Sequence, residues 1–190
     1  MKIISLEPLS SKSGYFVRLK PDTVLLRNNE SFFFPDFAGE VFCRFDLAVR
    51  IDKIGKFIKA KFASRYYSQF FPVVEFYAHN LSGIYSQTSE GSVLSYFDHS
   101  FAVSPFCTPI RNASESIRSM INGECVNELI LKDISRVSDE AVEYTSQLVT
   151  LKIGDIVSLG MSSDKFQINI GSTIQLSDSG NVLFLDFEVK

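Results

Sequence analysis

Between Val41 and Ile51 the chain reads Val-Phe-Cys-Arg-Phe-Asp-Leu-Ala-Val-Arg-Ile, and the residues in it that could do chemistry are Cys43, Arg44 and Asp46. Apolar side chains fill the odd positions Val41, Cys43, Phe45, Leu47, Val49 and Ile51. The two-residue period of a strand sends these to one face and sends Arg44, Asp46 and Arg50 to the other. Arg44 and Asp46 therefore share a face, where a guanidinium and a carboxylate can pair. A cation beside Cys43 would favour its thiolate and suit a nucleophile. Its place on the apolar face instead marks it as a buried structural cysteine. The chain has two histidines, His79 and His99, too few for a three-histidine metal site.

The elements that position these residues are mostly strands. At 190 residues the chain is long enough for one substantial core and is read as a single domain, 1–190. It carries 18 phenylalanines and no tryptophan, and the aromatic residues fall mainly in β-like runs, which makes much of the core sheet. Strands are expected at Met1 to Leu6, Tyr15 to Leu19, Val41 to Ile51, Val73 to Ala78 and Ile156 to Leu159. Asn122-Gly123 suits a type I′ turn between Ser116 to Ile121 and Glu124 to Val126. Thr173 to Leu176 and Val182 to Val189 form a closing hairpin. A short helix is placed at Ala60 to Tyr67. The main helix begins at Ser138, read as an N-cap before Asp139 and Glu140, with Ala141, Val142, Thr145, Leu148 and Val149 at helical spacing. Asn80 to Ser100, rich in Ser and Gly, reads as a long loop. The aromatic groups Phe32, Phe33, Phe34 and Phe37, Phe70-Phe71 and Tyr66-Tyr67 suit a sheet core, or else a cleft or interface. Asp178, Asp186 and Glu188 read as a solvated strand face.

Net charge is −3, so no broad basic surface recommends nucleic acid or an anionic membrane as partner. Three cysteines, Cys43, Cys107 and Cys125, form no C-x-x-C pair, and their odd number argues against a complete disulfide framework. Together with the absence of a signal-like or membrane-spanning apolar run, this makes a soluble, cytoplasmic protein the expectation.

Six strings carry a resemblance: Leu-Lys-Pro-Asp-Thr at 19–23, Phe-Pro-Asp-Phe at 34–37, Leu-Ala-Val-Arg-Ile-Asp-Lys-Ile-Gly-Lys at 47–56, Lys-Phe-Ala-Ser-Arg-Tyr-Tyr at 61–67, Ile-Asn-Gly at 121–123 and Leu-Lys-Ile-Gly-Asp at 151–155. Each is weak alone; in this order and spacing they resemble the fumarylacetoacetate hydrolase family from about Leu19 to the C-terminus. The resemblance implies an α+β, β-rich fold, a mixed β-sandwich roll with one main helix and short helical turns, usually as a homodimer. It also implies Mg²⁺ or Mn²⁺ held by three carboxylates, and hydrolysis, isomerisation or decarboxylation of small 2-oxo acids. A hard dication there would chelate the oxo-acid end and stabilise enolate charge.

Carried over, the family's Glu-x-Glu falls on Arg44 and Asp46 and its third ligand on Glu75, leaving two carboxylates of three. A guanidinium cannot ligate a metal and repels one. Other positions depart as well: His79-Asn80 stands for the family's Arg-Asp, Ser95 for a lysine, and Leu159-Gly160-Met161-Ser162 for a Thr-Gly-Thr-Pro turn. The shortened N-terminal segment, Glu7 to Gly14, lacks the family's histidine. Three carboxylates with a dication carry one net negative charge, as do Asp46, Glu75 and Arg44 together. Arg44 is therefore expected to reach the former metal position and pair with Asp46, Glu75 or both, the alternative being an arginine turned to solvent. His79, Asp98 and His99 are candidate pocket residues; either histidine is a replacement base or a solvated loop residue. The expectation is a non-catalytic, dimeric binding or structural protein without a cofactor, with no catalytic residue assigned. The alternative is a Mg- or Mn-dependent enzyme acting on acylpyruvate-like 2-oxo acids, with a site rebuilt on Asp46, Glu75 and Asp98.

Overall fold

A computed structural model describes residues 1–9, 14–79 and 95–190. In chain order its strands are β1 (Lys2–Pro8), β2 (Tyr15–Pro21), β3 (Leu25–Leu26), β4 (Glu40–Arg50), β5 (Gln69–His79), β6 (Phe101–Val103), β7 (Thr108–Pro109), β8 (Ser116–Ile121), β9 (Glu124–Ile130), β10 (Ile156–Ser158), β11 (Phe166–Ile168), β12 (Thr173–Asp178) and β13 (Leu183–Glu188). Two helices, α1 (Ala60–Ala63) and α2 (Ile134–Leu148), accompany them. Among the described residues one sheet has the order β2-β1-β10-β4-β5-β6-β3, with β11 also on β4 and β7 on β5; a second has the order β13-β12-β8-β9. The α+β, β-rich expectation holds.

The main core lies on one face of β4. Val41, Cys43, Phe45, Leu47, Val49 and Ile51 are all buried there, among Phe70, Phe76, Ile174 and Leu185. The opposite face is buried too, which alternation alone did not require. Ala48 joins a smaller apolar cluster with Ile3, Phe71, Val73 and Phe101. Next to it on the same face lie Arg44 and Asp46, both without solvent exposure. Only Arg50, at the strand end, is exposed.

Local chemistry explains most element boundaries. Asn122 and Gly123 sit at φ 54° and 80°, as a type I′ turn demands, and join β8 to β9 in the expected hairpin. The β12–β13 hairpin also forms where expected. Helix α2 starts five residues earlier than the sequence reading placed it, with its N-cap at Asp133 rather than Ser138. Ile134 is buried and Ser138 is an interior helical residue with no exposure, so burial of Ile134 outweighs the capping signal at Ser138. Helix α1 ends at Ala63 rather than Tyr67, and β5 extends to eleven residues from the six expected. Strand β11, with its Phe-Gln-Ile sequence, is too short to announce itself. Most of the loop expected at Asn80 to Ser100 falls outside the described residues.

Candidate functional site

Sheet register assembles the site. Arg44 lies directly opposite Glu75 on the β4–β5 ladder, and Ser158 opposite Ala48 on β10. On the β1–β2 ladder Ser5 faces Arg18 and Ile3 faces Lys20. Because alternate residues share a face, Lys20, Arg18, Ser5, Glu7, Ser158, Asp46, Arg44, Glu75 and Tyr77 all come from one side of the sheet.

The Arg44 guanidinium lies between the two carboxylates. Its Nη2 donates to Glu75 Oε2 at 2.7 Å and to Ser5 Oγ at 3.1 Å. Its Nη1 donates to the backbone oxygens of Leu6 at 2.9 Å and Ser162 at 3.0 Å. Its Nε donates to Tyr77 Oη at 3.1 Å. The guanidinium's five N–H donors are thereby satisfied, and Nη1 also lies 3.4 Å from Asp46 Oδ2. Burial desolvates the guanidinium at a cost, and this complement of partners offsets that cost where an incomplete set would not.

Both carboxylates are fully engaged. Glu75 Oε2 also accepts from Ser5 Oγ at 2.7 Å and Tyr77 Oη at 2.8 Å, and Oε1 forms an ion pair with buried Lys20 at 2.5 Å. Asp46 Oδ1 accepts from the backbone N–H groups of Leu47 at 2.8 Å and Met161 at 2.9 Å; Oδ2 accepts from Ser158 Oγ at 2.8 Å and the Gly160 N–H at 2.9 Å. The turn from Leu159 to Ser162 thus holds Asp46 through its amides and Arg44 through a carbonyl. Gly160 fits there because its φ is +66° and a Cβ would lie 2.9 Å from the Tyr15 ring.

Electrostatics follow from burial and these partners. Burial alone would raise the Glu75 carboxyl, but the Lys20 and Arg44 charges outweigh it and hold the group well below the usual carboxylate range. For Asp46 burial prevails over Arg44 and the hydrogen bonds, and its pKa is raised. Burial lowers the Lys20 ammonium to about 8 against the pull of Glu75. Burial also pushes the Cys43 thiol up, as suits a structural cysteine. Lys20 changes the charge count made from the sequence: with Arg44 it balances Asp46 and Glu75, giving neutrality. At the rim, Glu7 pairs with Arg18 and with Lys165, each at 2.6 Å.

Other sequence candidates lie apart. The His79 ring stands edge-on to Phe42 at 5.0 Å, while Asp98 and His99 are exposed, with the His99 N–H on the Thr23 carbonyl. Phe32 is buried and stacked on Phe76 at 3.8 Å, whereas Phe33 and Phe37 are exposed. Sequence reasoning missed Lys20, Ser5, Tyr77 and Ser158. The alternation of Arg18 and Lys20 in β2 was the available signal, but only the register brings them to Glu75.

The donor set does not fit a hard divalent cation. Such an ion takes six or more oxygen ligands, and Asp46 and Glu75 are the cluster's central carboxylates, with three of their four oxygens accepting hydrogen bonds and the fourth, Glu75 Oε1, in an ion pair with Lys20. The space between them holds a permanent cation. Among the described residues no group of three His, Cys, Asp or Glu side chains is arranged to hold a metal ion.

A family model described as fumarylacetoacetate (FAA) hydrolase C-terminal matches residues 8–181. No curated protein matches the sequence. Among solved structures, fumarylpyruvate hydrolase from Pseudomonas aeruginosa in complex with Mn²⁺ and pyruvate is 15% identical, with a TM-score of 0.81 over 100% of this chain and 89% of that one. The 5-carboxymethyl-2-hydroxymuconate delta-isomerase from Mycobacterium smegmatis is 20% identical, with a TM-score of 0.80 over 99% of this chain and 78% of that one. Maleylpyruvate hydrolase from Sphingobium sp. SYK-6 is 17% identical, with a TM-score of 0.77 over 100% of this chain and 70% of that one. At these identities the likeness is one of fold.

Proposed function

Because the chain belongs to the fumarylacetoacetate hydrolase family, we propose that it is a member in which a protein cation has replaced the catalytic metal, leaving a non-catalytic binding or structural protein. The observation that carries this reading is the Arg44 guanidinium between Asp46 and Glu75 with all its donors used. Metal-assisted chemistry needs ligand oxygens free for the ion and an open position for substrate. Here those oxygens face Arg44, Lys20, Ser158 and backbone amides. Among the described residues, the linings of five surface clefts of about 400 to 550 Å³ do not include Arg44, Asp46, Glu75 or Lys20. The reading includes a cytoplasmic homodimer. Among the described residues no helix is long and apolar enough to cross a membrane.

Calorimetric titration of chelator-stripped protein with Mn²⁺ and Mg²⁺ tests the proposal, beside an Arg44→Glu variant that restores a carboxylate. The expected result is no stoichiometric binding by the unmodified chain. Saturable one-to-one binding to it, with turnover of an acylpyruvate, would overturn the reading and restore the metal-dependent enzyme.

A further inference from the structure

A second feature lies on the far side of β4 and is independent of the Arg44 cluster. From Lys53 to Arg65 the chain reads Lys-Ile-Gly-Lys-Phe-Ile-Lys-Ala-Lys-Phe-Ala-Ser-Arg, and no acidic residue occurs between Asp52 and Glu75. Lys53, Lys56, Lys59, Lys61 and Arg65 are all exposed. Among the described residues only Lys59 of these pairs with a carboxylate, Glu143 at 3.6 Å. The net negative charge of the whole chain averages over this local concentration of positive charge.

Apolar side chains stand out between the cations. Ile54 is 61% exposed and Phe57 67%, with Phe62 also exposed. Backbone bonds join Gly55 to Leu151 in both directions and Gly154 to Ile51, which sets the turn bearing Ile153, 66% exposed, beside Ile54. Phe57 has a φ of 53°, a region that bulky residues seldom occupy. Its N–H donates to the Ser146 carbonyl at 3.0 Å, and the next N–H to Ser146 Oγ at 2.9 Å, so helix α2 fixes the turn in this conformation. The fold thus holds a strained backbone whose large apolar side chain points into solvent, an arrangement typical of functional loops. Cations lie over the exposed rings: Lys56 over Phe57 at 4.9 Å, and Lys61 and Arg65 over Phe62 at 4.9 and 5.0 Å.

We propose that the segment from Lys53 to Arg65, with Ile153, is a docking surface for an anionic lipid bilayer. Interleaved lysines and apolar tips supply the two attractions that peripheral binding combines: charge toward acidic headgroups and apolar insertion at the acyl boundary. The aliphatic tips Ile54 and Ile153 favour lipid over nucleic acid, because bases stack on aromatic rings and gain little from branched aliphatic side chains. Asp52, which accepts a hydrogen bond from Ser68 at 2.8 Å, and Glu143 are the flanking carboxylates.

Flotation of the full chain with phosphatidylcholine vesicles, alone or mixed with phosphatidylserine, tests this. The expected result is binding to the mixed vesicles only, weakening as salt rises. Replacing Lys56→Ala and Lys61→Ala together should lower partitioning by about 30-fold. Phe57→Gly removes the ring while suiting the positive φ, and should lower partitioning by about tenfold with the fold intact. Failure to float with phosphatidylserine, or undiminished flotation of the double lysine variant, would overturn the proposal. So would retention of single-stranded DNA without vesicle binding, or a lysine variant that merely converts a dimer to a monomer while the unmodified chain ignores vesicles.

Discussion

Arg44 and Glu75 face each other across the β4–β5 ladder, Nη2 to Oε2 at 2.7 Å, and neither has any solvent exposure. The pair is neighboured by a second cation, Lys20, and a second carboxylate, Asp46, so four formal charges sit buried on one sheet face, next to the apolar cluster of Ile3, Ala48, Phe71, Val73 and Phe101.

Removing one partner of such a set leaves the others buried and unmatched. Arg44→Ala should therefore lose about 3–5 kcal/mol of stability, well beyond an ordinary surface change. Denaturant unfolding of the two proteins checks this, and an unchanged midpoint would contradict the description of Arg44 as buried and fully bonded.

The pH dependence has a definite sign. Glu75 has a folded pKa well below its ordinary 4.5, so its contribution is fully present above pH 4.5 and is lost progressively below it. Each pH unit lost there should remove up to about 1.4 kcal/mol. Asp46 acts in the opposite sense, since its raised pKa makes the folded state hold a proton more readily than the unfolded chain. Carboxyl-carbon NMR should show Glu75 still ionised where ordinary glutamates have titrated; a normal titration would refute this.

Gly160 is expected to resist substitution. At φ +66°, with a Cβ 2.9 Å from Tyr15 and 3.2 Å from Leu6, Gly160→Ala should lose roughly 2 kcal/mol or more and disturb the amides that hold Asp46. Thermal unfolding measures the loss.

Phe57 gives the opposite expectation. Its φ of 53° strains a phenylalanine but not a glycine, and its exposed ring contributes little packing. Phe57→Gly should leave stability unchanged or raise it by about 1 kcal/mol, readable as a higher melting temperature.

Much of this fold is legible in the sequence where two local signals agree. Strand β4 alternates, and the β8–β9 hairpin has both strand runs and an Asn-Gly turn. Helix α2 shows what happens when they disagree: Ser138 has the chemistry of a cap, yet Ile134 needs burial and the helix extends past the serine. For the site, alternation gives the shared face of Arg44 and Asp46, and resemblance brings in Glu75. Lys20 and Ser5 stay hidden because no local pattern encodes which strands become neighbours. Their approach to Glu75 depends on β1 and β10 lying between β2 and β4, a property of topology.

The hydrogen bonds of Arg44 Nη1 also bear on the order in which the molecule assembles. One reaches the Leu6 carbonyl, 38 residues away, and the other the Ser162 carbonyl, 118 residues away. Closing such separations at a single nitrogen brings the first strand and the turn after β10 together on β4, so these bonds are expected to form after those segments have docked. On that expectation Arg44 acts as a clasp on the finished fold, and Arg44→Ala should speed unfolding more than it slows folding.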